Sequence, residues 1–214
     1  MANRSTSGFG LRMAMMLGNS PAIGGQSKYA IKSGLGVGIF KGNPASIQLA
    51  GDTGYIQDSG FSTTDDGNDG GIDFTTANDA LLVGVHNGVF FIDNTTSKPT
   101  FANSVAASTT FGTNPNTNST DGVAFVNDDP DQEYVVKADA AVGQAIFGLC
   151  GNINDFAAGD AKDGASTATF DSGAQAETKM FRIVRSAEDP DNEDLTVPGA
   201  NIIVVINAAA NTYR

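Results

Sequence analysis

The chain has 214 residues, of which 40% are hydrophobic and only 17% are charged, and its net charge is −12. This length and apolar content suit a single domain with a real core, and the low charge together with 26 glycines favours turns and strands over helices. No apolar run approaches the roughly 18 residues of a membrane-spanning helix, so no membrane partner is expected. The single cysteine, Cys150, excludes an intrachain disulfide and a cysteine metal cluster.

The charge is divided unevenly along the chain. Residues 1–51 contain five basic and no acidic residues, a charge of +5, whereas residues 52–214 contain seven basic and 24 acidic residues, a charge of −17. A basic segment on an acidic body is typical of an arm that docks on a negative partner. Because five charges form a sparse phosphate-binding patch and the acidic body repels a duplex, an acidic protein surface is favoured over nucleic acid.

Residues 1–27 are rich in Ser, Gly, Asn and Met and lack strand periodicity. They predict an extended N-terminal arm with little core of its own, the alternative being a disordered terminus. We expect the arm to become ordered on a partner, with Phe9 and Leu11 in apolar pockets and Arg12 paired with a carboxylate. The candidate docking residues are Arg4, Phe9, Leu11, Arg12, Met13 and Met16.

Residues 28–214 are predicted to form the β body. Apolar residues alternate with small or charged ones from Tyr29 to Phe40 and return over Ala45 to Ala50, after a turn at Lys41-Gly42-Asn43-Pro44. This pattern predicts a hairpin.

The stretch from Leu81 to Ile92 is expected to lie at the centre of the body. Two apolar runs flank Asn87-Gly88, and both residues tolerate the backbone of a tight hairpin turn. The stretch is either two central strands joined at Asn87-Gly88, or one long strand kinked there by a bulge. Asn201 to Asn207 is the other long apolar run.

The remaining elements follow from shorter patterns. Helical spacing of apolar residues predicts one short helix within Asp139 to Cys150. Long loops are expected over 58–78, 94–122 and 186–200. Further strands are predicted at Tyr55-Ile56, Val123 to Val126, Glu133 to Ala138, Thr167 to Phe170, Met180 to Arg185 and Asn201 to Asn207. The fold class is therefore all-β, a small barrel or sandwich with an extended N-terminal arm and at most one or two short helices.

Few residues suggest chemistry. The run from Asp65 to Gly71 invites a calcium site but lacks EF-hand spacing, so a solvated loop is favoured. His86, the only histidine, is expected to be a turn or sheet residue, and Cys150 a small buried one. No phosphate loop or zinc-protease motif is present in the sequence. We therefore expect no enzyme activity, no metal and no cofactor.

Several short motifs occur in a suggestive order. Gly8-Phe9-Gly10-Leu11-Arg12 lies near the start, and Leu82-Val83-Gly84-Val85 begins the central stretch. Asp-Pro-Asp occurs at 129–131 and again at 189–191, each time before a strand. In this order the motifs resemble a family of tailed-bacteriophage virion structural proteins of about 200 residues. The resemblance spans nearly the whole chain, except the Asp-Gly run at 65–71 and the Asn-Thr-rich insertion around 94–120.

The resemblance implies a capsid decoration (cement) protein that binds the outer surface of the major capsid protein shell and stabilises the head. It places the protein on the virion, assembled in the host cytoplasm. Neighbouring copies would associate as a trimer, with a dimer as second choice. The alternatives are another virion component, such as a head fibre, connector or tail protein, and a carbohydrate-binding β module or small hydrolase. Sugar binding is disfavoured because the chain has no Trp and only 4 Tyr.

Overall fold

The structure is a computed structural model that describes residues 3–22, 24–48, 53–58, 82–154, 159–173, 175, 177 and 179–213. Strands account for 44% and helix for 3%, so the all-β prediction is confirmed. Of the two predicted architectures, the open antiparallel sheets match a sandwich and not a closed barrel. None of the helices in these ranges is long and apolar enough to cross a membrane.

Short strands joined by turns make up most of the described chain. Two 3-10 helices cover Gln144–Ile146 and Ala208–Ala210. The strands are β1 (Arg12–Met16), β2 (Ser20–Pro21), β3 (Ser27–Ile31), β4 (Ile39–Phe40), β5 (Pro44–Ile47), β6 (Ile56–Asp58), β7 (Leu82–Ile92), β8 (Pro99–Ala102), β9 (Ser104–Val105), β10 (Gly122–Asn127), β11 (Gln132–Lys137), β12 (Cys150–Gly151), β13 (Ile153–Asn154), β14 (Thr169–Phe170), β15 (Phe181–Ser186) and β16 (Asn201–Ile206).

Two six-stranded sheets form the body. Sheet A has the order β12-β15-β16-β11-β1-β2, and its central strand β16 is buried along its whole length. Sheet B has the order β3-β10-β7-β5-β6, with β8 also paired to β7. Two-stranded sheets β13-β14 and β4-β9 flank them. The turn after β10 leads into β11, so this tight connection passes from sheet B to sheet A.

Strand β7 supplies side chains to both hydrophobic cores. Leu82 and Val85 lie in the first core, with the inner face of sheet A and fully buried residues such as Tyr134. Val83 and Val89 lie in the second core, with Ile39 and the inner residues of β3 and β10. A strand buried on both sides needs apolar residues at successive positions, which explains the unbroken apolar character of this stretch.

The central stretch is one long strand with a bulge, as one of the two alternatives predicted, and the hairpin alternative is wrong. Strand β10 pairs along both halves of β7, with Phe125 opposite Gly88 and Val126 opposite His86. Asn87 is therefore the extra residue of a β-bulge. Because β10 offers hydrogen bonds to both halves, the chain continues past Asn87-Gly88 without reversing.

The predicted hairpin between Tyr29–Phe40 and Ala45–Ala50 is wrong. Residues 32–38 form turns that divide the first half into β3 and β4, and Gly34 has a φ of 79° there. Strand β3 pairs with β10, β4 with β9, and β5 with β6 and β7. Local alternation thus marked the strands but not their pairing, because β3, β4 and β5 pair with strands distant in the sequence, and the only nearby partner is β6, which pairs with β5. Residues 49 and 50 lie outside the described ranges.

The remaining predictions had mixed outcomes. The strands near 56, 123–126, 133–138, 167–170, 180–185 and 201–207 are present. Where a short helix was predicted within Asp139 to Cys150, the structure has only the 3-10 turn Gln144–Ile146. Gly143 and Gly148, which flank this turn, both have positive φ. The region 94–122 contains β8 and β9, whereas 187–200 is a loop. The Asp65–Gly71 run, and the predicted loop beyond residue 58, lie outside the described residues.

The structure corrects the prediction of an N-terminal arm outside the core. Strand β1 is part of sheet A, where Arg12 pairs with Val135 and Met13 with Tyr134. Leu11 is only 3% exposed and belongs to the first core. The periodicity of β1 is hard to detect because the register shifts between Met13 and Met16 and the strand lies near the sheet edge, so much of it stays exposed.

Candidate functional site

The basic N-terminal segment is fastened to an acidic loop of its own chain. Arg4 forms an ion pair with Asp191 at 2.8 Å, and its backbone N–H donates to the Asp191 carbonyl at 3.0 Å. The Asn3 side chain donates to the carbonyls of Asp194 and Pro198, both at 3.0 Å. The negative surface expected as the target of this segment is therefore supplied, for Arg4, by the loop between β15 and β16.

Lys137 also fixes the N-terminal segment, through hydrogen bonds from its ammonium group. Its Nζ donates to the carbonyl of Ser5 at 2.9 Å, to Oδ1 of Asn192 at 3.3 Å and to the carbonyl of Gly199 at 3.4 Å. Burial lowers the pKa of Lys137, Asp189 opposes this shift, and the nearby charge of Arg12 adds to it. A buried ammonium satisfied by oxygens from three segments ties the N-terminus to sheet A.

The segment then places an aromatic ring and a cation at a pocket. The Arg12 guanidinium lies 4.3 Å from the centroid of the Phe9 ring, a cation–π contact, and Lys137 Nζ lies 5.6 Å from the same ring. The pocket beside them has a volume of about 400 Å³. We call it the basic pocket, and it is lined by Phe9, Leu11, Arg12, Met13, Lys41, Gly42, His86, Asn87, Asn127 and Ala165.

A second pocket, which we call the aromatic pocket, opens on the outer face of sheet B. Its volume is about 420 Å³. Gly88 forms its floor, since β10 places Phe125 opposite a residue that has no side chain. A Cβ built on Gly88 would meet only the carbonyl oxygen of Ala102, at 3.3 Å. The remaining lining residues are Gln26, Asn87, Val89, Phe101, Ala102 and Asn103.

Phe101 gives the aromatic pocket its apolar wall. Its side chain is 73% exposed, the highest value among the large hydrophobic residues that are exposed in the described chain. Its ring centroid lies 4.6 Å from that of Phe90 and 6.3 Å from that of Phe125. Strand pairing puts all three residues on the face of sheet B opposite to Ala124 and Val126 of the second core, so they form an aromatic cluster outside that core.

The two pockets adjoin at Asn87, which lines both. The Asn87 side chain donates to Oε1 of Gln26 at 3.2 Å, so the bulge residue is held in place between them. We call the combined lining of the two pockets, together with the neighbouring Lys28, the Asn87 surface. Lys28 belongs to it because β3 places this exposed lysine opposite Phe125.

The single histidine and cysteine are structural residues. His86 is 1% exposed, and its Nε2–H donates to the carbonyl of Gln57 at 3.2 Å. Burial lowers the pKa of His86 to about 4, so the ring is neutral at pH 7. Cys150 is buried with a free thiol, and burial raises its pKa. No group of three His, Cys, Asp or Glu side chains in the described ranges is arranged to hold a metal.

The six predicted docking residues divide into three groups. Phe9, Leu11, Arg12 and Met13 all line the basic pocket, although Leu11 is buried in the protein's own core and cannot be inserted into a partner. Arg4 lies apart, in its ion pair with Asp191. Met16 is half-buried at the other end of β1, where it pairs with Ser20 of β2.

Sequence reasoning missed the aromatic half of the surface. Phe101 fell in a stretch read as a loop, and its place beside Phe90 depends on the pairing of β8 with β7, which no local pattern reveals. Phe125 fell in a predicted strand, but that strand is apolar on both faces, so the sequence did not indicate which face is exposed. The cluster Phe90, Phe101 and Phe125 requires knowledge of sheet B.

Comparison with known proteins adds no assignment. No protein-family model, no curated protein and no solved structure matches the chain.

Proposed function

We propose that this chain is a non-enzymatic structural protein of a tailed-bacteriophage virion. In this role it decorates the outer surface of the capsid shell and docks on the major capsid protein through the Asn87 surface. The observation that carries the proposal is the exposed aromatic cluster beside two pockets, because a large aromatic residue 73% exposed on a sheet face is typical of a protein contact. The motif resemblance supports the choice of a virion.

Other features of the chain are compatible with this role. A decoration protein needs a rigid body with extensive long-range contacts, and both sheets are assembled largely from strands distant in sequence. Lys137 and Asn3 fasten the N-terminal segment, which gives the surface a fixed shape before it meets a partner. Association of neighbouring copies as a trimer, or as a dimer, belongs to the same proposal.

Binding to empty shells tests the proposal. Purified protein is mixed with capsid shells assembled without it, and the mixture is sedimented. We expect saturable co-sedimentation and a higher temperature of shell disruption, since a decoration protein bridges capsid subunits. Failure to bind such shells at micromolar concentrations would overturn the proposal.

A further inference from the structure

We infer that the Asn87 surface binds an extended acidic segment of a partner protein, which places one apolar side chain in the aromatic pocket and carboxylates on Arg12, Lys28 and Lys41. This deepens the proposed function, on which it rests for the identity of the partner as a capsid protein, but not for the chemistry of the contact.

Three cations beside the pockets have no ion-pair partner among the described carboxylates. Within the described part of the chain, Arg4 is paired with Asp191 and Arg185 with Glu133. No ion pair to a described carboxylate is present for Arg12, Lys28 or Lys41, which border the two pockets. Three cations along the Asn87 surface that lack a described carboxylate partner, on a protein with net charge −12, favour a negatively charged occupant.

The lining of the two pockets also favours a negatively charged occupant. No acidic residue lines either pocket in the described ranges, although the chain has twice as many acidic as basic residues. The polar groups that do line the aromatic pocket are the amides of Gln26, Asn87 and Asn103. Amides and cations can receive carboxylates and backbone carbonyls without like-charge repulsion.

The shape of the aromatic pocket favours one apolar side chain in the occupant. The missing side chain at Gly88 leaves a depression beside the rings of Phe101 and Phe125, whose centroids are 6.3 Å apart. Because this spacing is too narrow to admit a side chain between the two rings, a leucine or similar side chain of the partner would lie over Gly88 and against both rings. Burial of such an anchor against two rings is the usual core of a protein interface, and the surrounding cations form its rim.

The arrangement of the two pockets favours an extended occupant. The aromatic and basic pockets adjoin at Asn87 but lie on different parts of the surface, one on the outer face of sheet B and one beside Phe9. An extended segment reaches both. Single-stranded nucleic acid also combines stacking groups with negative charge, but it carries one charge per nucleotide, and three cations are too sparse to neutralise such a backbone on a protein of net charge −12. An acidic polypeptide is favoured because it needs carboxylates only where the cations lie.

The test uses the whole 214-residue chain and synthetic probes. Backbone amide NMR spectra are recorded during titration with a 12-residue peptide of alternating acidic residues and serines around one leucine. A matched peptide has serine in place of the leucine, and an oligothymidylate of 12 nucleotides is the third probe. We expect the leucine peptide to shift the amide signals of Gly88, Phe101 and Phe125 together with those of Arg12 and Lys41, and to bind more tightly than the other probes.

Matched variants locate the contact. Phe101→Ala should weaken binding of the leucine peptide at least fivefold, and Lys28→Glu with Lys41→Glu at least tenfold at low salt. Leu149→Ala, which removes another exposed hydrophobic side chain, and Lys98→Glu, which reverses an exposed lysine elsewhere, should change it less than twofold. Thermal melts of each variant exclude unfolding as the cause.

Specific outcomes overturn the inference. The inference is wrong if the acidic peptides shift no amide signals, or if the shifted signals lie on another face of the protein. It is also wrong if Phe101→Ala and Leu149→Ala change the affinity for the leucine peptide equally. It also falls if oligothymidylate binds the same surface more tightly than the peptides. Peptide binding without shell binding would contradict the proposed function alone, whereas shell binding unaffected by the Phe101 and lysine variants would contradict the inference alone.

Discussion

Glu133 and Arg185 form a two-point ion pair across strand β16. Arg185 Nη1 and Nη2 donate to Glu133 Oε1 and Oε2, both at 2.7 Å, and the Glu133 side chain is fully buried. Strand pairing puts Val205 beside Glu133 and Ile203 beside Arg185 on the same face. The ion pair therefore covers the outward-facing side chains of β16, Ile203 and Val205. This cover explains why both are buried although they lie on the outer face of sheet A.

Removal of Arg185 should destabilise the protein strongly. Arg185→Met leaves the Glu133 carboxylate buried without its partner, and we expect a loss of about 2–4 kcal/mol in the free energy of unfolding, somewhat reduced by the partial exposure of Arg185. Urea denaturation measures the loss. Arg182→Met on the same strand is the control and should cost less than about 1 kcal/mol, because Arg182 is exposed. Equal losses would contradict this account of the pair.

The N-terminal segment should be needed for folding. Leu11→Ala opens a cavity in the first core and is expected to cost about 2–5 kcal/mol. Met15→Ala on β1, where the side chain is 46% exposed, should cost less than about 1 kcal/mol. Chemical denaturation of both variants measures the difference. If Leu11→Ala were as mild as Met15→Ala, the segment would lie outside the core after all.

Protonation of His86 should destabilise the protein in acid. Burial lowers the pKa of His86 to about 4 in the folded state, below the value of about 6.5 for an exposed histidine, so the unfolded chain takes up the proton first. The contribution of neutral His86 to the free energy of unfolding is therefore complete above about pH 6.5 and is lost as the pH falls toward 4. At pH 4.5 the expected loss is about 2–3 kcal/mol.

The variant His86→Gln isolates this effect, because its side-chain amide can still donate to the Gln57 carbonyl but does not titrate. The difference in unfolding free energy between wild type and His86→Gln should change by about 2–3 kcal/mol between pH 7.5 and pH 4.5, in favour of the variant at low pH. A constant difference across this range would show that His86 takes up its proton normally in the folded protein.

Gly84 should tolerate no side chain. A Cβ at this position would lie 2.0 Å from the carbonyl oxygen of Asn127 and 2.9 Å from Cγ1 of Val126. Gly84→Ala must therefore push β7 away from β10, at an expected cost of about 3 kcal/mol in thermal or urea unfolding. Gly25→Ala, where a Cβ meets nothing within 4 Å, is the control and should change stability by less than about 1 kcal/mol. A neutral Gly84→Ala would refute the close approach.

The elements that sequence predicted well are those whose pattern is complete within the element. Strand β16 is apolar at every interior position, and β7 is apolar on both sides of its bulge, so both were found without knowledge of their neighbours. Pairing was harder to predict, because β3 and β5 meet partners far along the chain. The aromatic half of the Asn87 surface was missed for the same reason, since Phe101 becomes part of it only through the pairing of β8 with β7.

The N-terminal error has a different cause. Residues 3–11 are fixed by single contacts, such as Lys137 with Ser5 and Asn3 with Asp194, and by Leu11 in the first core. Such contacts leave no periodic trace in a sequence rich in Gly and Ser. The unbalanced charge of residues 1–51 was informative all the same, because Arg4 does meet an acidic loop, although that loop belongs to the same chain.

The number of copies of the chain in purified virions tests the proposed function most directly. Quantitative mass spectrometry against the major capsid protein gives this number without any assumption about the binding surface. A decoration protein that follows the shell lattice is expected at hundreds of copies per particle. A dozen copies or fewer would indicate a connector or tail component, and absence of the chain from virions would contradict the proposal.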